Sequence, residues 1–133
     1  MYLDLKNKIC YLVMDYDNHP NLLEFKDLTV EEIKLIIYQL LDTIAYIHSC
    51  NICHRDIKPD NILYDRANKN IKVVDFGISK NFSSRGNKEM LTITGTLYYQ
   101  APEIFIGGGY DEKVDVWATG ITFYQLVTGK TPF

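Results

Sequence analysis

The longest periodic segment of the sequence lies at residues 29–49 and predicts an amphipathic helix. Thr29 followed by Glu32 is the capping-box pattern that marks a helix start. Apolar residues then recur at the spacing that places them on one helix face: Val30, Ile33, Ile36, Ile37, Leu40, Leu41, Ile44 and Ile47. His48, at the end of the segment, is predicted to pack or cap rather than bind a metal, because no second metal ligand stands four residues before it. The pattern predicts that this helix buries one wide stripe of side chains.

Shorter apolar segments predict two hairpins. Residues 9–14, ICYLVM, follow the turn-prone residues 6–8 and predict a buried strand after a tight turn. Residues 62–64 and 71–74 flank the polar stretch DRANKN and predict a second small hairpin.

A second helix is predicted at residues 113–128, with Gly129 as its C-terminal cap. Its apolar residues surround much of its circumference, which indicates a central helix. Residues 17–28 contain Asn and Pro and predict loop or a short helix. Residues 77–100 lack periodicity and predict a long loop, which in a compact domain is usually functional or mobile.

Composition excludes several function classes. The 133 residues are 47% hydrophobic and 23% charged, which is typical of a globular domain. The net charge of -3 offers no broad basic surface for nucleic acid. No apolar run approaches the ~20 residues of a membrane span, and the N-terminus lacks the order of a signal peptide. We therefore expect a soluble, cytoplasmic chain without nucleic-acid or membrane partners.

The stretch CNICHRDIKPDN, residues 50–61, fits two patterns. Its first five residues match C-x-x-C-H, which attaches a c-type haem. Its last eight match H-R-D-x-x-x-x-N, which holds the base and a metal ligand of phosphoryl-transfer enzymes. Haem attachment belongs to exported or organelle-targeted chains, and no such address is present. Three cysteines cannot all pair, so we expect Cys50 and Cys53 to be small buried thiols at a helix end.

Three further motifs decide between the two patterns. DFG stands at residues 75–77, GTLYYQAPE at 95–103 and DVWATG at 115–120, in one order after HRDIKPDN. With these motifs the chain resembles the protein kinase family over essentially its whole length. The resemblance implies an α+β fold, mostly the helical large lobe with the last strands of the small lobe. Residues 1–16 would be the end of the small lobe and the hinge, and residues 17–133 the first part of the large lobe.

The resemblance assigns the candidate catalytic residues. Asp56 would accept or orient the proton of the substrate hydroxyl, and Lys58 would stabilise the charge of the transferring phosphate. Thr96 would hydrogen-bond the pair of Asp56 and Lys58. A lysine at this place is typical of serine/threonine kinases, so the implied substrate is a protein with a Ser or Thr acceptor.

The implied cofactors are ATP and Mg2+. Asn61 and Asp75 would bind Mg2+ with hard oxygen ligands. In the hinge, Met14 would be the gatekeeper residue, the backbones of Asp15 and Asp17 would hydrogen-bond the adenine, and Leu63 would pack beneath it.

The resemblance also suggests how the site is regulated. Arg55 precedes the candidate base, and related kinases use this arginine to bind a phosphate on the activation loop. Thr92 is the predicted phosphorylation site. The segments IKVVDFGISKNF and GGGYDEKVDVWATGITFYQLVTGKTPF are most similar to calcium-dependent and calcium/calmodulin-regulated kinases, so a calcium-sensing segment or protein outside these residues is an expected partner.

Some parts of a kinase domain are not among these residues. The sequence contains no Gly-rich phosphate loop, no strand lysine of the V-A-I-K type and no partner glutamate, so the resemblance implies a domain that is incomplete at both ends. We expect the isolated chain to have negligible activity and marginal stability. The alternative function is a non-catalytic, truncated kinase lobe that serves as a protein-interaction module.

Overall fold

The computed structural model describes residues 2–4, 6–11, 13–81, 96–107 and 109–133. Strands β1 (Tyr2–Asp4) and β2 (Ile9–Tyr11) form an antiparallel hairpin, with Tyr2 opposite Tyr11. The predicted turn is present, and Lys8 adopts φ 56 in it. The prediction of a buried strand over residues 9–14 is wrong. The strand ends at Tyr11, and Val13 and Met14 beyond it are 81% and 73% exposed. Ile9 and Tyr11 are exposed as well, because a hairpin of two short strands offers too little surface to bury its own apolar side chains.

Helix α1 (Val30–Ser49) confirms the first predicted helix. The side chain of Thr29 accepts a hydrogen bond from the backbone N–H of Glu32, and the Glu32 carboxylate accepts one from the backbone N–H of Thr29. Val30 and Leu41 were predicted in the buried stripe but are exposed. The buried face is therefore narrower than the sequence pattern: Ile33, Ile36, Leu40, Ile44 and Ile47.

Strands β4 (Ile62–Asp65) and β5 (Asn70–Val73) form the second predicted hairpin, with Ile62 opposite Val73. Two-residue strands β3 (Ile52–Cys53) and β6 (Lys80–Asn81) pair antiparallel and were not predicted, because two residues carry no readable alternation. A 3-10 turn at Leu22–Glu24 lies within the predicted loop of residues 17–28.

Two helices follow along the chain: the short α2 (Glu103–Ile106) and α3 (Lys113–Thr128). Helix α3 has the predicted bounds, and Gly129 caps it at φ 77 with its N–H donating to the carbonyl of Gln125. One face of α3 is buried, whereas Val116, Phe123 and Val127 are exposed. Within the described residues α3 is thus covered on one side only, which differs from the central helix that was predicted.

The main core lies between α1, the β4–β5 hairpin and α3. Its buried members come from all three elements and from the turns between them: Leu22, Ile36, Leu40, Ile44, Ile57, Ile62, Tyr64, Tyr99, Ala118 and Ile121. A smaller cluster joins β3 to α2 and α3 through Cys53, Ala101, Ile104, Tyr110 and Val114. Residues 54–61, between β3 and β4, lie where the two clusters meet. None of the helices in the described part of the chain combines the length and hydropathy that a membrane crossing requires.

Candidate active site

A buried carboxylate on α3 holds the start of the loop at residues 54–61. Asp115 is fully buried and accepts hydrogen bonds from the backbone N–H groups of His54 (2.9 Å) and Arg55 (2.8 Å). It also lies 2.8 Å from Nε2 of His48 at the end of α1. Burial alone would raise the pKa of Asp115, but these hydrogen bonds outweigh it and lower the pKa. Asp115 therefore joins α1, the loop and α3 as an anion.

His54 fixes the other side of the loop. Its Nε2 lies 3.0 Å from the carbonyl of Val74, and its Nδ1 accepts from the backbone N–H of Asp56 at 3.3 Å. Its ring also packs edge-on against Phe76, with 4.6 Å between the ring centroids. Burial lowers the pKa of His54, which fits a neutral ring with the proton on Nε2. The loop is thereby tied to residues 74–76.

Asp56 lies at the centre of a four-residue cluster. Its Oδ1 accepts two hydrogen bonds of 3.0 Å from Thr96, one from the backbone N–H and one from the hydroxyl. Its Oδ2 lies 2.9 Å from Nζ of Lys58 and accepts from Nδ2 of Asn61 at 3.0 Å. Lys58 Nζ also donates to Oγ1 of Thr96 at 2.6 Å. The structure thus brings together the four residues that were predicted to be catalytic.

The surroundings of Asp56 favour its ionised form. Burial raises the pKa of this carboxyl, but hydrogen bonds from Lys58, Thr96 and Asn61 lower it further than burial raises it. The lysine ammonium is positioned beside the carboxylate, and both side chains remain partly accessible. An ionised carboxylate in this position can accept a proton from a hydroxyl group.

Asn61 and Asp75 are held close by the backbone, because the N–H of Val74 donates to the carbonyl of Asn61 at 2.9 Å. Asp75 is exposed, and within the described residues its carboxylate accepts one hydrogen bond, from the N–H of Gly77 at 3.2 Å. The amide nitrogen of Asn61 is used by Asp56, while its amide oxygen accepts nothing from the described residues. These free hard oxygens fit Mg2+.

Two residues of the site have left-handed backbones. Arg55 adopts φ 70 and Asp75 φ 62, a region that non-glycine residues rarely occupy. Strain of this kind persists only where surrounding contacts hold it and is concentrated at functional sites. Here the contacts on Arg55 come from Asp115 and from the carbonyl of Ile78, which accepts from its guanidinium.

Of the predicted adenine-binding residues, Met14, Asp15 and Asp17 lie on the segment that follows β2, and Leu63 lies on β4. Met14 and Asp15 are exposed, and the backbone groups of Asp15 and Asp17 make no hydrogen bond to other described residues. Leu63 is half-buried on β4 and lines a cleft of about 140 Å³ together with Asp17. The backbone groups of Asp15 and Asp17 are therefore available to a ligand.

Of the two predicted regulatory residues, Arg55 contacts residues 78 and 110. The guanidinium of Arg55 donates to the carbonyl of Ile78 and to the hydroxyl of Tyr110 at 3.3 Å. Thr92 lies outside the described residues. The sequence did not single out Tyr110 or Ile78 as partners of Arg55, because Arg55 and Tyr110 are 55 positions apart and no local pattern indicates their contact.

The expectation that Cys50 and Cys53 are both small buried thiols is confirmed for Cys53 and is wrong for Cys50. Cys50 is exposed at the end of α1, while Cys53 is buried. The Sγ of Cys53 lies within 4.8 Å of ligand atoms of His48 and Asp115, a spacing that could hold a metal ion. Burial, however, raises the pKa of the Cys53 thiol strongly, and the Asp115 oxygens already accept the loop N–H groups. This cluster therefore serves as a hydrogen-bonded anchor, and the His54 contacts leave no axial nitrogen for haem.

Comparison with known proteins gives one consistent result. A family model described as "Protein kinase domain" matches residues 2–133. Calcium-dependent protein kinase 4 of Plasmodium falciparum is 46% identical over 101 residues, covering 74% of this chain and 19% of that protein. Serine/threonine-protein kinase shk2 of Schizosaccharomyces pombe is 37% identical over 138 residues, 99% of this chain and 23% of that protein. Human serine/threonine-protein kinase ULK1 is 36% identical over 144 residues, 99% of this chain and 13% of that protein. The chain thus spans about a fifth of the length of such relatives.

Proposed function

Because the chain belongs to the protein kinase family, we propose that it contributes the catalytic loop of a serine/threonine kinase that transfers the γ-phosphoryl group of ATP to protein hydroxyls. The observation that carries this proposal is the cluster around Asp56, where Lys58, Thr96 and Asn61 all contact one carboxylate. Such transfer needs a positioned hydroxyl and neutralised phosphate oxygens more than covalent chemistry.

Each residue of the cluster has a distinct proposed role. Asp56 orients the substrate hydroxyl and takes its proton. Lys58, held by Thr96 at 2.6 Å, stabilises the negative charge that develops on the phosphate. Thr96 keeps the carboxylate and the ammonium aligned through its backbone N–H and its hydroxyl. Preorganisation of this kind supplies much of the rate enhancement of transfer enzymes.

Asn61 and Asp75 are the proposed Mg2+ ligands. Their free oxygens and the backbone tie between Val74 and Asn61 support this assignment. When bound, Mg2+ neutralises phosphate charge and orients the nucleotide. Asp15 and Asp17 are proposed to bind the adenine through their backbones, with Leu63 beneath it and Met14 as gatekeeper. We further propose that Arg55 binds a phosphate on Thr92 and that the protein acts inside the cell.

A phosphotransfer assay on the full-length protein tests this function. We expect transfer of labelled γ-phosphate to serine and threonine peptides, none to matched tyrosine peptides, and loss of transfer with EDTA. An Asp75→Asn variant should lose transfer at ordinary Mg2+ concentrations. Tyrosine transfer would contradict the acceptor assignment, and transfer that persists in EDTA would contradict the metal assignment.

The second candidate is a non-catalytic kinase lobe that binds other proteins. It is favoured by the apolar side chains that α3 exposes, including Trp117, which stacks on Phe133 at 6.4 Å between ring centroids.

Calcium control is proposed from the likeness to the Plasmodium relative, whose name states that it is calcium-dependent. An absence of transfer in the assay, together with retained folding, would favour the binding lobe.

A further inference from the structure

A small group of charged side chains fastens the extended segment after β2 to the second hairpin. The carboxylate of Asp17 accepts from Nζ of Lys72 on β5 at 2.5 Å. It also lies 2.6 Å from Nδ1 of His19 and accepts from the backbone N–H of His19 at 3.1 Å. Nε2 of His19 in turn lies 3.4 Å from a carboxylate oxygen of Asp65 on β4. These contacts form a latch made of Asp17, His19, Asp65 and Lys72.

Backbone contacts continue the attachment along the chain. The N–H of Tyr64 donates to the carbonyl of Pro20 at 2.9 Å, and Asn21 forms a bridge with Leu63. Before the latch, the side chains of Met14 and Tyr16 stand largely in solvent. Asp17 is therefore the point at which side chains first hold the segment that follows residue 13 within the described part of the chain.

The chemistry of Asp17 agrees with this arrangement. Hydrogen bonds from Lys72 and from His19 lower the pKa of its carboxyl well below the ordinary range. The side chain of Asp17 is 17% exposed while that of Lys72 is 56% exposed, so solvent screens the pair in part. A single ion pair that solvent screens stabilises the folded protein only modestly. Because both Lys72 and His19 contact the Asp17 carboxylate, they also restrict its position.

We propose that Lys72 and His19 are positioning residues for nucleotide binding, because they hold Asp17 and the adjoining backbone of residues 15–17 against the β4–β5 hairpin. This inference rests on the proposed function, which assigns that backbone to the adenine. A segment that is already ordered costs the ligand less conformational entropy. A larger fraction of binding-competent molecules lowers the apparent Kd in proportion.

The test uses the full-length protein with Lys72→Met, Lys72→Arg, His19→Ala and the control Lys34→Met. Lys34 is matched because it also loses one surface ion pair, with Glu31 on α1. Binding of a non-hydrolysable ATP analogue with Mg2+ is measured by calorimetry, hydrogen exchange of residues 13–19 by mass spectrometry, and kcat and KM for ATP by peptide phosphorylation.

We expect Lys72→Met to weaken binding by up to about fivefold, with a raised KM, an unchanged kcat and faster exchange at residues 13–19. His19→Ala should act in the same direction, Lys72→Arg should restore binding, and Lys34→Met should have no effect. Equal affinity and exchange in Lys72→Met, or an equal loss in Lys34→Met, would overturn the inference.

A wild-type protein that binds no adenine nucleotide would overturn the proposed function and the nucleotide role of the latch together. In that case the exchange data separate the two failures. Faster exchange in Lys72→Met would retain the latch as a purely structural clamp, and unchanged exchange would remove it as well.

Discussion

Thr96 donates both its backbone N–H and its hydroxyl to one oxygen of Asp56, each at 3.0 Å. Forty residues separate these two positions, so this contact joins the loop after β3 to the 3-10 turn at Leu97–Tyr99. The same hydroxyl accepts from Lys58, so one threonine organises an anion and a cation.

Thr96→Val should lower kcat and leave the fold intact. The substitution keeps the backbone N–H and the side-chain shape while removing the hydroxyl that Lys58 and Asp56 share. Hydrogen bonds to charged groups contribute about 1.5–3 kcal/mol, so we expect a fall in kcat of about tenfold to a hundredfold. Steady-state phosphorylation assays on the full-length protein check this.

A matched control is Thr128→Val, because among the described residues the Thr128 hydroxyl bonds to backbone groups alone: it donates to the carbonyls of Tyr124 and Lys130 and accepts from the N–H of Lys130. Its kcat should stay at the wild-type value. Equal kcat values in both variants would show that the Thr96 hydroxyl is dispensable.

Asp115→Asn should destabilise the protein and make its free energy of unfolding depend less on pH in the acid range. The pKa of Asp115 is lowered in the folded state, so the ionised carboxylate adds to the free energy of unfolding. This stabilisation is complete above the ordinary aspartate pKa of about 3.9 and is lost as the pH falls below that value. Disrupting a buried charged network costs about 3–5 kcal/mol. Urea unfolding between pH 7 and pH 3 measures both effects.

The variant should therefore be less stable at pH 7 and lose less stability on acidification than the wild type. The opposite finding, a variant with wild-type stability at pH 7, would show that Asp115 does not hold the loop.

Leu40→Ala and Leu41→Ala should differ sharply although they are neighbours on α1. Leu40 is fully buried in the main core, whereas Leu41 is 46% exposed. Deleting a buried leucine side chain costs about 2–5 kcal/mol, while exposed positions change stability by about 0.5 kcal/mol or less. Equilibrium denaturation of both variants compares the same substitution at a buried and at an exposed position. If the two variants lose similar amounts of unfolding free energy, the placement of α1 is contradicted.

Cys50 and Cys53 should react with iodoacetamide at very different rates. Cys50 is exposed, while Cys53 is buried and its thiol pKa is raised by burial, so little thiolate forms. Peptide mapping after labelling at pH 8 should find Cys50 modified in the native protein and Cys53 only after unfolding. Rapid native labelling of Cys53 would contradict its burial and the raised pKa of its thiol.

The two long helices could be predicted closely because their signals are local. The capping box of Thr29 and Glu32 and the terminal Gly129 act within one helical turn, so the start of α1 and the end of α3 could be predicted from neighbouring residues. The burial of individual side chains could be predicted less accurately. Val13 and Leu41 continue apolar patterns yet are exposed, since burial depends on which element covers a residue and not on its own spacing.

In the candidate site, too, contacts within one loop could be predicted and contacts between distant segments could not. Asp56, Lys58 and Asn61 lie within six residues of one loop, so a short motif brings them together. The link between His48 and Asp115 crosses 67 residues of sequence, and the sequence predicted only that His48 would pack or cap. The latch at Asp17 was also missed, because ion pairs between distant segments leave no periodic pattern.

The central claim is that Asp56 is the group that orients and deprotonates the substrate hydroxyl, and an Asp56→Asn variant of the full-length protein tests it most directly. Asparagine keeps the size and loses the ability to accept the proton. Labelled phosphate transfer to a serine peptide should fall about a thousandfold, while the affinity for a non-hydrolysable ATP analogue stays within about twofold of the wild type. Transfer that remains within about tenfold of the wild type at the same nucleotide affinity would contradict the account.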